Sequence, residues 1–295
     1  MTFFQDDDVS NLSIIVVIAV SSALFLLFMS IVTFTTDYGN RDYHLAIAKA
    51  QLLNWAPTAL IMDIANSIAH FDTIEAAYLL RSSWRSFPMG TVHLIGVKSY
   101  LKNQPLVVIK DNQYFIGTDN GVLSMIFDDE PDEIWRLDLQ MSELDYMFPL
   151  GNLFVQSAAH FVRGGTPGMI ARRIDGMDNI KFPMAQMENG GIRCSVIHID
   201  DYGNMILNIT KEVFEESVGK RGFTIHARST EKAGMRSIMS SFLPDGMADG
   251  IPFAVWGANG YLVVAMRNAS LQNGGGAARL LGYQKMSNIF IEIHD

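Results

Sequence analysis

From Ile31 onward the apolar positions fall into short runs whose spacing alternates between two periods. "IVTFTT" (31–36) is continuously apolar and β-branched, the pattern of a strand covered on both faces. "RDYHLAIAKAQLLNWAP" carries apolar residues at helical spacing and stops at Pro57, and "TALIMDIA" reads as a second buried strand. "TIEAAYLLRSSWRSFP" predicts a helix with Thr73 as N-cap, Glu75 in its first turn and an end near Ser86. "TVHLIGV", "PLVVIK" and "NQYFIG" predict strands, and "GNLFVQSAAHFVRGGTP" a helix halted by Gly164-Gly165. This alternation predicts an α/β domain with a mainly parallel sheet.

The pattern then changes. "KFPMAQMENGG" reads as a connector, and from Ile192 the runs are short, extended and punctuated by Gly and Asn. Such a pattern predicts a smaller β-barrel domain. The chain therefore divides into a hydrophobic segment at 1–28, an α/β domain at 29–182, a linker at 183–191 and a β-barrel domain at 192–295. "NGGG" at 273–276 is a loop without the strand–GxGxxG–helix setting of a dinucleotide site.

No charged residue occurs between Leu12 and Thr36. A bilayer core of about 30 Å takes roughly 20 helical residues, so residues 12–28 are long enough for membrane contact as a transmembrane helix. Asp6–Asp8 precede the run and Arg41 and Lys49 follow it, which places the main domain in the cytoplasm, tethered to the inner face of the membrane. The run leads without a linker into the first strand. Two readings stay open: an anchor ending near Leu27 that presses the domain on the lipid, or a true start at Met29.

Composition narrows the function classes. Of 295 residues 49% are hydrophobic and 18% charged, a folded protein. A net charge of −9 without any basic cluster excludes a nucleic-acid partner. Cys194 alone excludes an internal disulfide and reads as a small buried hydrophobe in a reducing compartment. The seven histidines show no metal-ligand spacing, and no HExxH or CxxC occurs, so no metal is expected. His160 and His198 read as structural.

"DYGN" occurs twice, at 37–40 and 201–204, each time closing an apolar run. With "ALIMDIANSIAHFDTIEAAYLL", "FPMGTVHLIGV", "YFIGTDNGVLS", "LFVQSAAHFVRGGTP", "VIHIDDYGNMILNI" and "GYLVVAMRNAS", the stretch "TTDYGNRDYHLAIAKA" completes an ordered set from Ile31 to the C-terminus. In that set the chain resembles the S-adenosyl-L-methionine (SAM) hydroxide adenosyltransferases, adenosine-forming SAM hydrolases related to fluorinase and chlorinase. The resemblance implies an α/β domain followed by a β-barrel, and homo-trimers whose sites lie between one subunit's first domain and its neighbour's second. SAM is then the substrate or ligand, and no cofactor is needed.

The resemblance implies that Asp37 holds the ribose hydroxyls. A carboxylate at a strand end accepts two hydrogen bonds from a cis-diol, although an Asx-turn capping the next helix is the competing role. In the second motif, D-x-[FY]-G-N, Asp200 and Asn204 match the groups that hold the ends of methionine; Asn204 after Gly203 also suits a tight turn. Tyr202, Phe71 and Phe148 match the aromatic walls, and a ring near the sulfonium contributes roughly 0.5–2 kcal/mol by cation–π attraction. For Phe71 and Trp256 a place in the core is the better reading. Arg267, Asn268 and Ala269 match the segment near adenine, and Asp119-Asn120-Gly121 a turn.

Four departures concern the chemistry. The family's hydrolases orient water with an Asp-Arg-His set, but this chain has Lys98 in place of the acid, nothing matching the arginine and Pro149 near the histidine's position. Leu150 replaces the serine that helps hold halide, so halogenation is not expected. Lys98 is thus the candidate catalytic residue. A lysine ammonium about 5 Å from a sulfonium repels it by roughly 3 kcal/mol at an effective dielectric near 20. Either burial neutralises it, or its stem carries the charge to solvent. Three readings follow: slow SAM hydrolysis, a silent SAM- or adenosine-binding protein, or a membrane-tethered interaction module.

Overall fold

The computed structural model describes residues 30–99, 104–138, 143–227, 234–242, 246–272 and 274–294, which divide into two compact units between Ile180 and Lys181. In the first unit the run Ile31–Thr36 forms β1, hydrogen-bonded on both edges and buried from Val32 onward. The remaining strands are β2 (Leu60–Ala65), β3 (Val92–Gly96), β4 (Pro105–Lys110), β5 (Gln113–Thr118), β6 (Glu133–Leu137) and β7 (Ala171–Ile174). They form one sheet in the order β2-β1-β3-β5-β4-β6-β7. The pairs β1–β2, β1–β3 and β3–β5 are parallel, whereas β4–β5, β4–β6 and β6–β7 are antiparallel. The sheet is mixed, not mainly parallel: the turn at Asp111-Asn112, with φ of 48° and 60°, returns β4 to β5 as a hairpin and needs no crossover helix.

Alternate strand residues feed opposite faces. Val32, Phe34, Leu94, Val107 and Ile116 pack with α1 (His44–Trp55) and, later in the chain, Val155–Val162. Ile95, Leu106, Val108 and Phe115 pack with α2 (Thr73–Ser83) and α3 (Val122–Ile126). A sheet covered on both sides explains the uninterrupted apolar runs. β2 departs from expectation: it is an edge strand with Leu60 42% exposed, because only β1 pairs with it. The N-cap of α2 is Asp72, not Thr73; its side chain accepts the Glu75 N–H at 2.9 Å. A short helix α4 (Glu143–Met147) and a wide π-type turn at Leu150–Phe154 precede α5 (Val155–Val162).

The second unit is an eight-stranded, largely antiparallel sheet: β8 (Gln186–Glu188), β9 (Gly191–Ile199), β10 (Met205–Thr210), β11 (Phe223–His226), β12 (Ile238–Met239), β13 (Pro252–Trp256), β14 (Tyr261–Met266) and β15 (Asn288–Ile293). The order is β11-β15-β9-β10-β14-β13-β12, with β8 on β9. Among the described residues this is an open path, a half-barrel. β8 lies in the stretch read as a linker and pairs as a strand because Met187 and Glu188 match Ile192 and Gly191 across a tight turn. Its core surrounds Cys194, Leu207, Leu262 and Ile291, with helices α6 (Lys211–Val218) and α7 (Gly276–Leu281). Cys194 is fully buried, and burial pushes its thiol up to about 12, so it is an inert hydrophobe. Among the described residues no helix is long and apolar enough to cross a membrane, and the predicted span at 12–28 lies outside them.

Candidate functional site

In the first unit β1 leads by α1 to β2 on one side, and the chain then returns past β1 to β3 on the other. The strand order therefore reverses between β1 and β3. In open α/β sheets ligands bind at the carboxyl ends of strands at such a reversal. Asp37 and Lys98 follow those two strand ends, where Thr36 pairs with Gly96.

Asp37 is 6% exposed. Its Oδ2 accepts two main-chain N–H groups, from Phe71 at 2.9 Å and Lys98 at 3.2 Å. Both donors have left-handed backbones, with φ of 66° at Phe71 and 48° at Lys98. Non-glycine residues adopt this region rarely and hold it only where surrounding structure compels them. Here each aims its N–H at one carboxylate oxygen. Among the described residues Oδ1 accepts no hydrogen bond. The Asx-cap role for the next helix is not what this carboxylate does.

The neighbourhood is braced. Asn120 Nδ2 donates to the carbonyls of Val97 and Lys98, both at 3.0 Å, and Asn120 Oδ1 accepts the Val122 N–H at 3.2 Å. The turn role of Asp119-Asn120-Gly121 is thus to fasten the loop that carries Lys98. Burial lifts the Asp119 carboxyl above its ordinary value, and the N–H of Asp178 opposes that. Thr36 Oγ1 donates to Asn66 Oδ1 at 3.1 Å, linking the ends of β1 and β2. Tyr38 lies edge-on to Phe148 at 5.4 Å, and its hydroxyl is 3.1 Å from Ser99 Oγ. Lys98 is exposed, and among the described residues its ammonium has no partner. Of the two fates foreseen for that charge, its stem reaches solvent. Phe71 is 55% exposed, which removes it from the core; Trp256 packs against Phe214 at 5.5 Å in the second unit's core.

In the second unit β9 and β10 meet at Ile199 and Met205, and residues 200–204 make the turn. Asp200 holds that turn together. Its Oδ1 accepts the N–H groups of Tyr202 at 3.0 Å and Asn204 at 2.9 Å, and its Oδ2 accepts Asn204 Nδ2 at 2.9 Å. Gly203 has a φ of 74°, and a Cβ there would lie 2.8 Å from Gly276 Cα. The glycine of "DYGN" and the last of "NGGG" are therefore small because two backbones touch, with the Ala278 N–H donating to the Gly203 carbonyl at 2.9 Å.

β14 runs antiparallel to β10, so its end, Met266, arrives beside this turn. A cavity of about 380 Å³ results, lined by Asp200, Tyr202, Asn204, Asn268 and Ala269 with apolar Phe242, Phe253, Ala265 and Met266. That volume suits a small molecule. Arg267 is not in the lining. Its guanidinium donates to the Met247 carbonyl at 2.6 Å and lies 3.5 Å from Asp249, while Asn268, with φ of 52°, turns the chain and donates to Asp249 at 2.9 Å.

The predicted residues thus gather in two places: Asp37, Phe71 and Lys98 around one carboxylate, and Asp200, Tyr202, Asn204, Asn268 and Ala269 around one cavity. Phe148 adjoins the former through Tyr38. Sequence reading missed Tyr38, Asn66, Asn120 as a clamp, and His70, whose Nδ1 is 3.0 Å from the Asp37 carbonyl. Tyr38 was visible inside the repeated motif; nothing in the spacing singled out His70.

Comparison with known proteins covers most of the chain. The SAM hydroxide adenosyltransferase N-terminal domain matches residues 32–171, and the C-terminal domain of the same family matches residues 194–290. Proteins named (R)-S-adenosyl-L-methionine hydrolase are similar: one from Methanocaldococcus jannaschii is 26% identical over 220 residues, 72% of this chain and 78% of that one. Another from Thermus thermophilus is 24% identical over 251 residues, 81% of this chain and 92% of that one. A crystal structure of an uncharacterised conserved protein from Thermotoga maritima shares the fold, with a TM-score of 0.74 and 23% identity, covering 88% of this chain and 99% of that one.

Proposed function

The chain belongs to the SAM hydroxide adenosyltransferase family, and from that premise we propose that it binds SAM and hydrolyses it to adenosine and methionine. The observation that carries the reading is Asp37: one oxygen clamped by two main-chain donors, the other open, at the reversal point of the sheet. In this reading Oδ1 accepts the ribose hydroxyls. Asp200, Tyr202 and Asn204 hold the methionine end, Asn268 and Ala269 adjoin adenine with Arg267 bracing their turn, and Phe71 and Phe148 supply aromatic walls. The chain assembles as a homo-trimer whose sites lie at subunit interfaces, and residues 12–28 contact the membrane; the family resemblance and the uncharged run support these two points.

The chemistry asks little of the leaving group. Water attacks C5′, the C5′–S bond breaks, and the sulfonium leaves as the neutral thioether of methionine without needing a proton. Positioning and exclusion of bulk water supply much of the rate. Lys98 holds its place in the site through its main-chain N–H to Asp37, and its exposed ammonium is screened by solvent, which weakens the repulsion of a sulfonium. Incubating the full-length chain with SAM and resolving the products by chromatography tests the reading; adenosine above the enzyme-free blank is expected. Lys98 and Pro149, where the family has its water-orienting acid and histidine, favour a second reading, a silent SAM-binding protein. Calorimetric binding of SAM without adenosine release would establish that reading instead.

A further inference from the structure

His70 stands directly before Phe71 on the loop after β2, and it is solvent-exposed. Its Nδ1 is 3.0 Å from the main-chain carbonyl of Asp37. A carbonyl oxygen only accepts, so Nδ1 carries the hydrogen and the lone pair of the neutral ring is on Nε2. One hydrogen bond therefore sets both the tautomer and the place of the ring, against the residue assigned to the ribose. Among the described residues Nε2 has no hydrogen-bond or ion-pair partner.

The other groups around Asp37 are less suited to take a proton from water. Asp37 Oδ2 is occupied by two N–H donors. A protonated Lys98 has no lone pair to offer. His44 is stacked on Tyr43 at 4.3 Å and edge-on to Phe148 at 5.4 Å. From this arrangement we infer that His70 Nε2 is the general base of the reaction, a part for which the chain lacks the family's usual set; the inference rests on the hydrolytic reading above. The water oxygen forms its bond to C5′ as the C5′–S electron pair leaves with sulfur. The water proton moves to Nε2, and the exposed imidazolium returns it to solvent, so one proton is released for each SAM consumed.

His70→Asn is the informative variant, because the asparagine amide keeps an N–H where Nδ1–H donates to the Asp37 carbonyl but has nothing in place of Nε2. The full-length wild type, His70→Asn and His70→Ala are compared for kcat, for KM and for the SAM dissociation constant by calorimetry. A general base contributes about 10²–10⁴-fold, so kcat of His70→Asn falls by about a hundredfold or more while SAM affinity is retained. If His70→Asn keeps the wild-type kcat and only His70→Ala loses it, the ring merely positions Asp37 and the inference is overturned. A loss of affinity with kcat unchanged also overturns it, in favour of ligand binding. A wild type that binds SAM and forms no adenosine overturns the hydrolytic reading itself, and the base with it.

Discussion

At the scale of single residues, two aspartates with nearly the same surroundings in the sequence are used in opposite ways. Asp200 accepts three hydrogen bonds from its own turn. Asp37 accepts two, on one oxygen, from segments more than 30 positions away. Asp200→Ala therefore loses an internal brace, and hydrogen bonds to a charged group contribute about 1.5–3 kcal/mol, so thermal unfolding is expected to move down by several degrees. Asp37→Asn keeps an oxygen for the Phe71 and Lys98 donors and presents an amide where the open oxygen was. Its melting temperature should stay close to wild type while SAM affinity falls about 10–100-fold, as for one charged hydrogen-bond acceptor lost. Equal SAM affinity in the two chains would remove Asp37 from the ribose.

Among the elements, β3 carries the clearest dependence on pH. His93 is fully buried between β1 and β5, with Thr33 Oγ1 at 2.7 Å from Nδ1 and Gln113 Oε1 at 2.8 Å from Nε2. Gln113 Nε2 donates to the Phe87 carbonyl, so Oε1 is left to accept; Nε2 of His93 then carries the hydrogen and Nδ1 accepts from threonine. Burial lowers the His93 pKa from 6.5 to about 4, opposed in part by the Gln113 hydrogen bond. The folded state thus binds fewer protons than the unfolded state between those values. Stability is complete above pH 6.5 and declines as pH falls toward 4, by about 3 kcal/mol from this residue. Urea unfolding of wild type and His93→Gln over that range checks it: the glutamine chain should lose this part of the slope, and identical slopes would refute the assignment.

For the whole molecule, the proposed trimer makes a separable claim. If each site draws Asp37 from one subunit and Asn204 from a neighbour, chains carrying Asp37→Ala or Asn204→Ala are each inactive alone. Co-expressed, they form mixed trimers in which some sites receive both wild-type residues, and adenosine formation returns in part. Light scattering should give three times the 32.8 kDa chain mass. Activity absent from the mixture while each variant still assembles would place both residues in one subunit.

Much of this was legible in the chain, and for a physical reason. β1, β3 and α1 are read correctly because periodicity reports burial directly: an apolar run must be covered, and a helical stripe must face a core. The ordered motifs likewise identify the family, since turns at strand ends require particular residues whatever surrounds them. Tertiary structure decided what periodicity does not encode. Whether β2 lies inside or at the edge depends on a neighbour that never arrives, and whether β4 pairs parallel depends on a two-residue turn. Arg267 aims at Met247, and His70 reaches the Asp37 carbonyl, because loops from separate strands converge. Local chemistry chooses the element; the partner across space chooses what each side chain can do.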